Sequence, residues 1–175
     1  HHYDLKEDLY KLFLDKDMQY SCAYFHNENI SLNQAQIDKK RHIINKLQIK
    51  ENMNVLDIGS GWGGMAIEIA KQTGAKVKGI TLSENQFATA TKRAHEEGLS
   101  DKISFEIQDY RKEIHQYDRI VSVGMFEHVG IKYFRVYLKK TFELLKENGI
   151  FLLHTIGQRG IPTATSPWIR KYIFP

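Results

Sequence analysis

Downstream of residue 53 the chain alternates between two periodicities. Short apolar runs at 54–59, 76–83, 103–109, 117–124 and 149–157 read as strands, and apolar residues recur every three or four positions over 64–73, 84–97 and 131–146, as helices require. Only the link between the third and fourth runs is too short for a helix. Repeated strand–helix–strand order predicts a parallel sheet with helices on both faces. Upstream, Leu5, Leu9, Leu12 and Phe13 recur at helical spacing across 4–17. A second helix is expected over 33–47, very polar at first and apolar at Ile43, Ile44 and Leu47. This change of pattern divides the chain into a helical lid or cap, 1–48, and an α/β domain, 49–175.

Parallel sheets of this type bind ligands beyond the carboxyl ends of their strands, where strand order reverses. Chemically capable residues collect at those ends: the loop Gly59-Ser60-Gly61-Trp62-Gly63-Gly64, then Thr81-Leu82-Ser83, Asp109-Tyr110, Gly124-Met125-Phe126-Glu127-His128 and His154-Thr155-Ile156-Gly157. The glycine loop lies between an apolar strand and a helix bearing Met65, Ala66, Ile69 and Ala70. It therefore offers close backbone approach and the unpaired N–H groups of a helix start. That context reads as a nucleotide-type cofactor site, the alternative being a glycine turn that only packs helix on sheet. A dinucleotide site would place an acid at the end of the second strand; Thr81 stands there, and no acid follows before Glu84. If the fourth and fifth strands are neighbours, their ends lie about 5 Å apart, which would bring Glu127 and His154 into one pocket with the glycine loop. A lone histidine at a strand end is otherwise a hydrogen-bonded structural residue.

Composition adds little. The chain has 175 residues, enough for one domain, and 42% of them are hydrophobic, enough for a substantial core. A net charge of +4 suits phosphates, nucleic acid or an anionic membrane surface, and equally a solvated lysine-rich exterior. One cysteine, Cys22, excludes an internal disulfide. No run approaches the roughly 20 apolar residues of a spanning helix, and no apolar signal follows His1-His2. The expectation is a cytoplasmic protein that does not cross a membrane.

The loop Asp57-Ile58-Gly59-Ser60-Gly61-Trp62-Gly63 resembles the first motif of S-adenosylmethionine-dependent methyltransferases. Five ordered segments make the resemblance specific: Tyr20-Ser21-Cys22-Ala23-Tyr24-Phe25, Leu56 to Gly64, Gly79-Ile80-Thr81-Leu82-Ser83, Phe126-Glu127-His128-Val129-Gly130 and Leu153-His154-Thr155-Ile156-Gly157. In this order they resemble the cyclopropane-fatty-acyl-phospholipid synthase family, which includes the mycolic acid cyclopropane synthases and related lipid methyltransferases. The likeness runs from His2-Tyr3-Asp4 to Tyr172-Ile173-Phe174-Pro175. It implies a Rossmann-like, doubly wound, mainly parallel sheet of the class I methyltransferase type, here lacking its C-terminal strands.

The reaction it implies is methylene addition from S-adenosylmethionine across a cis double bond of a phospholipid acyl chain at a membrane surface. S-adenosylhomocysteine is the product, and bicarbonate is the base that removes a proton so that the ring closes. The family's anion-site motifs map onto Cys22, Glu127, His154 and Ile156, with Cys22 and Ile156 acting through backbone N–H. Cys22 also reads as a small buried hydrophobe or a reactive thiol. Glu127 beside an anion would have to donate as an acid, hold a protonated histidine, or hold the bicarbonate hydroxyl. Cofactor positions map onto Tyr20 and Ser21 at the amino-acid end, Gly59 and Gly61 at the loop, Thr81, Leu82 and Gln86 at the ribose, Tyr110 at the adenine, and Gly124. Gln86 would replace the missing acid, or be an exposed helix residue. Trp62 and Tyr110 read equally well as packing residues, and Tyr24 and Phe25 would face the acyl chain.

Two departures stand out. Ser60 replaces the family's usual cysteine, and nothing matches the further strands and the anion-site tyrosine that family members carry past the segment like Tyr172 to Pro175. The fifth strand would then be an apolar edge open to partner pairing or homo-oligomerisation. Other classes compatible with the sequence are a related lipid or amine methyltransferase and a non-catalytic S-adenosylmethionine-binding module. A nucleic-acid methyltransferase would want a basic stripe with aromatics, or a polar motif after the fourth strand; Phe126-Glu127-His128 is unlike Asn-Pro-Pro-Tyr.

Overall fold

A computed structural model describes residues 7–157, 160 and 166–172. Five strands, β1 (Asn54–Ile58), β2 (Lys76–Thr81), β3 (Ile103–Ile107), β4 (Tyr117–Val123) and β5 (Leu145–His154), pair in parallel in the order β3-β2-β1-β4-β5. The order reverses between β1 and β4, so both strand ends open onto one crevice. Side chains alternate across the sheet. Val55, Val77 and Val121 join one core with α2 (Leu32–Leu47), α3 (Gly64–Thr73) and α4 (Glu84–Glu96). Leu56, Ile58 and Ile120 join a second core against Tyr137 of α5 (Phe134–Glu143) on the opposite face.

Several boundaries differ from expectation for identifiable reasons. β2 ends at Thr81 because Ser83 immediately caps α4, its side chain accepting from the Gln86 backbone N–H at 3.3 Å. β3 stops at Ile107. The helical pattern over 131–146 resolves into a 3₁₀ turn, Ile131–Tyr133, followed by α5. β5 begins at Leu145, earlier than expected, and ends at His154. Tyr117 pairs with Leu145 but Arg119 with Ile150, and β5 accommodates its surplus residues in a bulge where Asn148 takes φ 63°. The amphipathic pattern over 4–17 yields only α1 (Glu7–Lys11); residues 4–6 lie outside the described region, and Leu12 and Phe13 follow the helix as exposed turn residues. A final helix, α6, spans Pro167–Tyr172. Among the described residues no helix is long and apolar enough to cross a membrane.

Helix α2 starts on Ser31, whose side chain accepts from the Gln34 backbone N–H, and stops at Gln48 in the left-handed region. Its buried stripe is Ala35, Gln36, Lys39, Lys40, Ile43, Ile44 and Leu47. The apolar half packs on the sheet, while the polar half holds the irregular segment that precedes the helix. The Gln36 side-chain amide donates to the carbonyls of Gln19 and Ser21 at 3.2 and 2.9 Å. Lys40 reaches Asp17 at 2.6 Å and Glu68 of α3 at 3.2 Å. Arg93 of α4 also pairs with Asp17, and donates to the Trp62 carbonyl at 2.7 Å.

Asp17 therefore joins the covering segment to α2 and α4 at once. Replacing it by alanine takes the carboxylate from Arg93 and leaves the almost fully buried Lys40 with Glu68 alone, and is expected to cost about 2 kcal/mol in chemical denaturation. Loss of Glu143, exposed at the end of α5 and only 3.9 Å from Lys139, should change stability by less than about 0.5 kcal/mol in the same assay.

Candidate functional site

Beyond the carboxyl ends of β1, β2 and β4 lies a cavity of about 640 Å³. Its floor is the glycine loop. Gly59 has φ +80°, and a Cβ there would come within 2.8 Å of the Met125 side chain; Gly63 has φ +83°, with Ala90 and Phe105 as close. Only glycine fits either position without movement. Tyr20, Ser21, Gly59, Gly61, Thr81, Leu82, Gln86, Tyr110 and Gly124 all line this cavity.

Gln86 is buried at the start of α4, contrary to its reading as an exposed helix residue, and accepts from the Thr81 hydroxyl at 2.8 Å. That bond occupies its carbonyl oxygen and leaves the amide N–H groups as donors. Trp62 is both packed and cavity-lining: it is 3% exposed, and its ring centroid sits 4.8 Å from that of Tyr10. Tyr20 lies 5.5 Å from the same Tyr10 ring, so an aromatic cluster seats the covering segment at the cavity mouth. Tyr110 opens a short 3₁₀ turn and meets Tyr137 edge-on at 5.0 Å.

That turn is anchored by Glu113. Its buried carboxylate pairs with Lys78 at 2.8 Å and accepts the backbone N–H groups of Ile114 and His115. Burial alone would raise its pKa, but these bonds outweigh burial and hold it at about 2.

Asp57 was not anticipated as a site residue. It lines the cavity at the end of β1, and one of its carboxylate oxygens is buried without a partner, as is the Trp62 indole N–H. Burial pushes the Asp57 pKa up to about 7. Its place immediately before the glycine loop was the available signal.

Glu127 and His154, which strand-end proximity places in one pocket with the glycine loop, are not among the residues lining the larger cavity. Cys22 and His154 line a second cavity, about 320 Å³, between α2 and β5. Strand alternation explains this: Ile150 and Leu152 pack toward the α2 core, and His154 continues their face of β5. Glu127 and Ile156 meet each other, the Ile156 backbone N–H donating to the Glu127 carboxylate at 2.9 Å, so that N–H is already engaged. Glu127 thus acts as an acceptor there, while its other oxygen and His154 Nδ1 are buried without partners. Burial lowers the His154 pKa; Lys39 adds to this and Glu127 opposes it. Cys22 is exposed, contrary to its reading as a buried hydrophobe. Tyr24 stacks on His42 at 4.8 Å beside this cavity, and Phe25 is exposed.

Lys39 also lines the second cavity. The sequence signal for it was the stripe that runs backward from Leu47 through Ile43/Ile44 to Lys39/Lys40 and Gln36.

The reversed parallel sheet, its glycine loop and the cavity above it define a Rossmann-like fold of the S-adenosylmethionine-dependent methyltransferase type. Within that class, the family model for mycolic acid cyclopropane synthetase matches residues 1–175, and the chain belongs to this family. It is 49% identical over 174 residues to cyclopropane-fatty-acyl-phospholipid synthase of Escherichia coli K12, covering 99% of this chain and 44% of that protein. The cyclopropane synthase MmaA2 from Mycobacterium tuberculosis superposes with a TM-score of 0.91 at 35% identity, covering 99% of this chain and 66% of that one. The mycolic acid cyclopropane synthase CmaA1, solved with SAH and CTAB, gives 0.84 at 34% identity, covering 87% and 53%. The chain thus spans under half the length of the E. coli protein.

The orphaned Asp57 makes stability depend on pH. With a folded pKa of about 7 against an ordinary 3.8, the protonated side chain is favoured in the fold. Its stabilising effect is complete below the ordinary value and is lost as pH rises through about 7. Denaturation of wild type and Asp57→Asn across this range should show the wild type losing stability relative to the variant. Parallel curves would show that Asp57 is ionised in the fold throughout.

Proposed function

We propose that the larger cavity holds S-adenosylmethionine and that the protein transfers a methylene group from it to the cis double bond of a phospholipid acyl chain. The observation that carries this reading is the convergence of all nine family-matched cofactor positions on one cavity of about 640 Å³. The cavity's unpartnered polar atoms fit the ligand: Asp57 presents an orphaned carboxylate oxygen, suited to the cofactor's positive charges, and Trp62 presents an orphaned donor. Bound there, S-adenosylmethionine supplies an electrophilic methyl group on a sulfonium centre.

The chain's residues prepare that transfer. The Gln86 amide is placed to donate to ribose hydroxyls, and the Thr81 hydroxyl fixes its orientation. An alkene is a weak nucleophile and needs a dry, aligned encounter; the segment 18–21, seated by Tyr10, Gln36 and Asp17, covers the cavity for that purpose. Cys22 and His154, with Glu127 acting on His154, would hold bicarbonate where the smaller cavity adjoins the larger, and that ion would supply the base. Net, the acyl chain gains one CH₂, its double bond becomes a ring, and one proton passes to the base. Residues 1–48 serve as the cap and 49–175 as the cofactor domain.

The substrate side is a membrane surface. Leu12, Phe13 and Phe25 are 82%, 52% and 52% exposed near the covering segment, and apolar side chains with neighbouring lysines suit peripheral binding to anionic lipid on the cytoplasmic face. β5 forms one edge of the sheet and is the surface through which copies would pair.

Calorimetric titration with S-adenosylhomocysteine should give micromolar binding, weakened about tenfold by Gln86→Ala. Absence of binding by folded protein would overturn the cofactor assignment. With S-adenosylmethionine and vesicles of unsaturated phospholipid, the expected product has one more CH₂ and no vinylic protons. Retention of the double bond in a product of the same mass would instead identify a lipid methyltransferase.

A further inference from the structure

Lys39 is nearly as buried as an apolar core residue, 3% exposed, yet among the described residues no carboxylate lies within ion-pair distance of it. Its neighbour Lys40 is paired with Asp17 and Glu68. Lys39 Nζ instead donates to the Ser21 hydroxyl at 2.7 Å. A hydroxyl orients an ammonium but does not neutralise it, and an uncompensated buried charge is costly. Lys39 also borders the 320 Å³ cavity with Cys22 and His154. His154 Nδ1 is buried without a partner, as is one oxygen of Glu127, and the charges of Lys39 and Glu127 both act on His154.

A cation, an imidazole nitrogen and a carboxylate acceptor together call for an oxyanion that still carries a hydroxyl. The negative oxygens face the cation, and the hydroxyl donates to Glu127. We propose that Lys39 is the counter-charge that holds this anion, anchored in place by Ser21. The inference rests on the reading of the smaller cavity as the site of the bicarbonate base, and adds to it the residue that supplies the positive charge.

The charged and titratable groups around Lys39 are Asp15, Asp17 and Cys22 from the covering segment, Lys40, His42 and Lys46 on α2, and His154 on β5, with Glu127 beyond it. Burial lowers the Lys39 pKa to about 8; Lys40 adds to this, while Asp15, Asp17 and Cys22 oppose it. The ammonium, and with it the grip on the anion, is present below that value and fades above it.

Cys22, the single cysteine of the chain, is exposed and lines the cavity, so its alkylation by iodoacetamide reports occupancy. Sodium bicarbonate at constant ionic strength is expected to slow the reaction of wild type near neutral pH. The concentration giving half-protection should rise at least about tenfold in Lys39→Met and stay near wild type in Lys39→Arg. In wild type, the ratio of rates with and without bicarbonate should approach one as pH rises from about 7.5 to 9, while Lys39→Arg keeps its protection.

Protection of Lys39→Met at wild-type concentrations, or wild-type protection that persists unchanged through that range, would overturn the proposal. Should Lys39→Met not fold, the pH series on wild type and Lys39→Arg decides alone. S-adenosylhomocysteine titration separates the two readings. Binding without any bicarbonate protection removes the anion role and leaves the cofactor site, whereas loss of both in folded protein removes the whole assignment.

Discussion

The Asp17 carboxylate ties the covering segment to two helices that do not follow one another along the chain. It takes Lys40 from α2 and Arg93 from α4, while Lys40 also reaches Glu68 of α3 and Arg93 also reaches the Trp62 carbonyl in the glycine loop. A segment without regular structure has few ways to stay closed over a cavity. Here closure rests on the Asp17 carboxylate and the Gln36 amide together with the apolar cluster of Tyr10, Met18 and Trp62. The polar bonds are strong because the partners are shielded, and conditional because each depends on its charge or its donor. The apolar cluster that joins in holding the segment is separate from the cores on the two faces of the sheet, so the segment can be released without disturbing them.

The fold was legible because its signals are redundant. Each strand is an apolar run, each helix carries its own period, and the glycine loop sits where the first strand meets the first crossover. β5 starts earlier than its apolar run because Leu145 and Lys146 continue the helical period and Glu147 and Asn148 look like a loop; residues 146–148 form a bulge that paired strands tolerate, with Lys146 turned to Asp118 at 3.0 Å. The first helix was overextended because Leu12 and Phe13 keep helical spacing although they are solvent-facing.

At the site, the residues that line the larger cavity were legible through their ordered motifs, and the grouping around the smaller one only in part. Knowing that β4 and β5 are neighbours brings Glu127 and His154 close, but strand alternation decides which face a side chain takes, and His154 turns toward α2. Lys39 escaped notice because a lysine in a polar helix start reads as solvated. Only the continuation of the α2 stripe past its apolar half marks it as buried. Asp57 escaped because burial without a partner, and not residue type, sets it apart.

The two cavities adjoin at Ser21 and Cys22. Ser21 lines the larger cavity while its hydroxyl holds Lys39, which borders the smaller, and Cys22 opens onto the smaller side. Gly124 lines the larger, and its N–H donates at 3.0 Å to the carbonyl of His154, which lines the smaller. An occupant that shifts either of these two bonds acts on both compartments. Whatever factor an occupant of one imposes on affinity in the other is returned in full, by thermodynamic reciprocity. Cooperativity between the two ligands would then need no moving domain, only the stiffness of two peptide units.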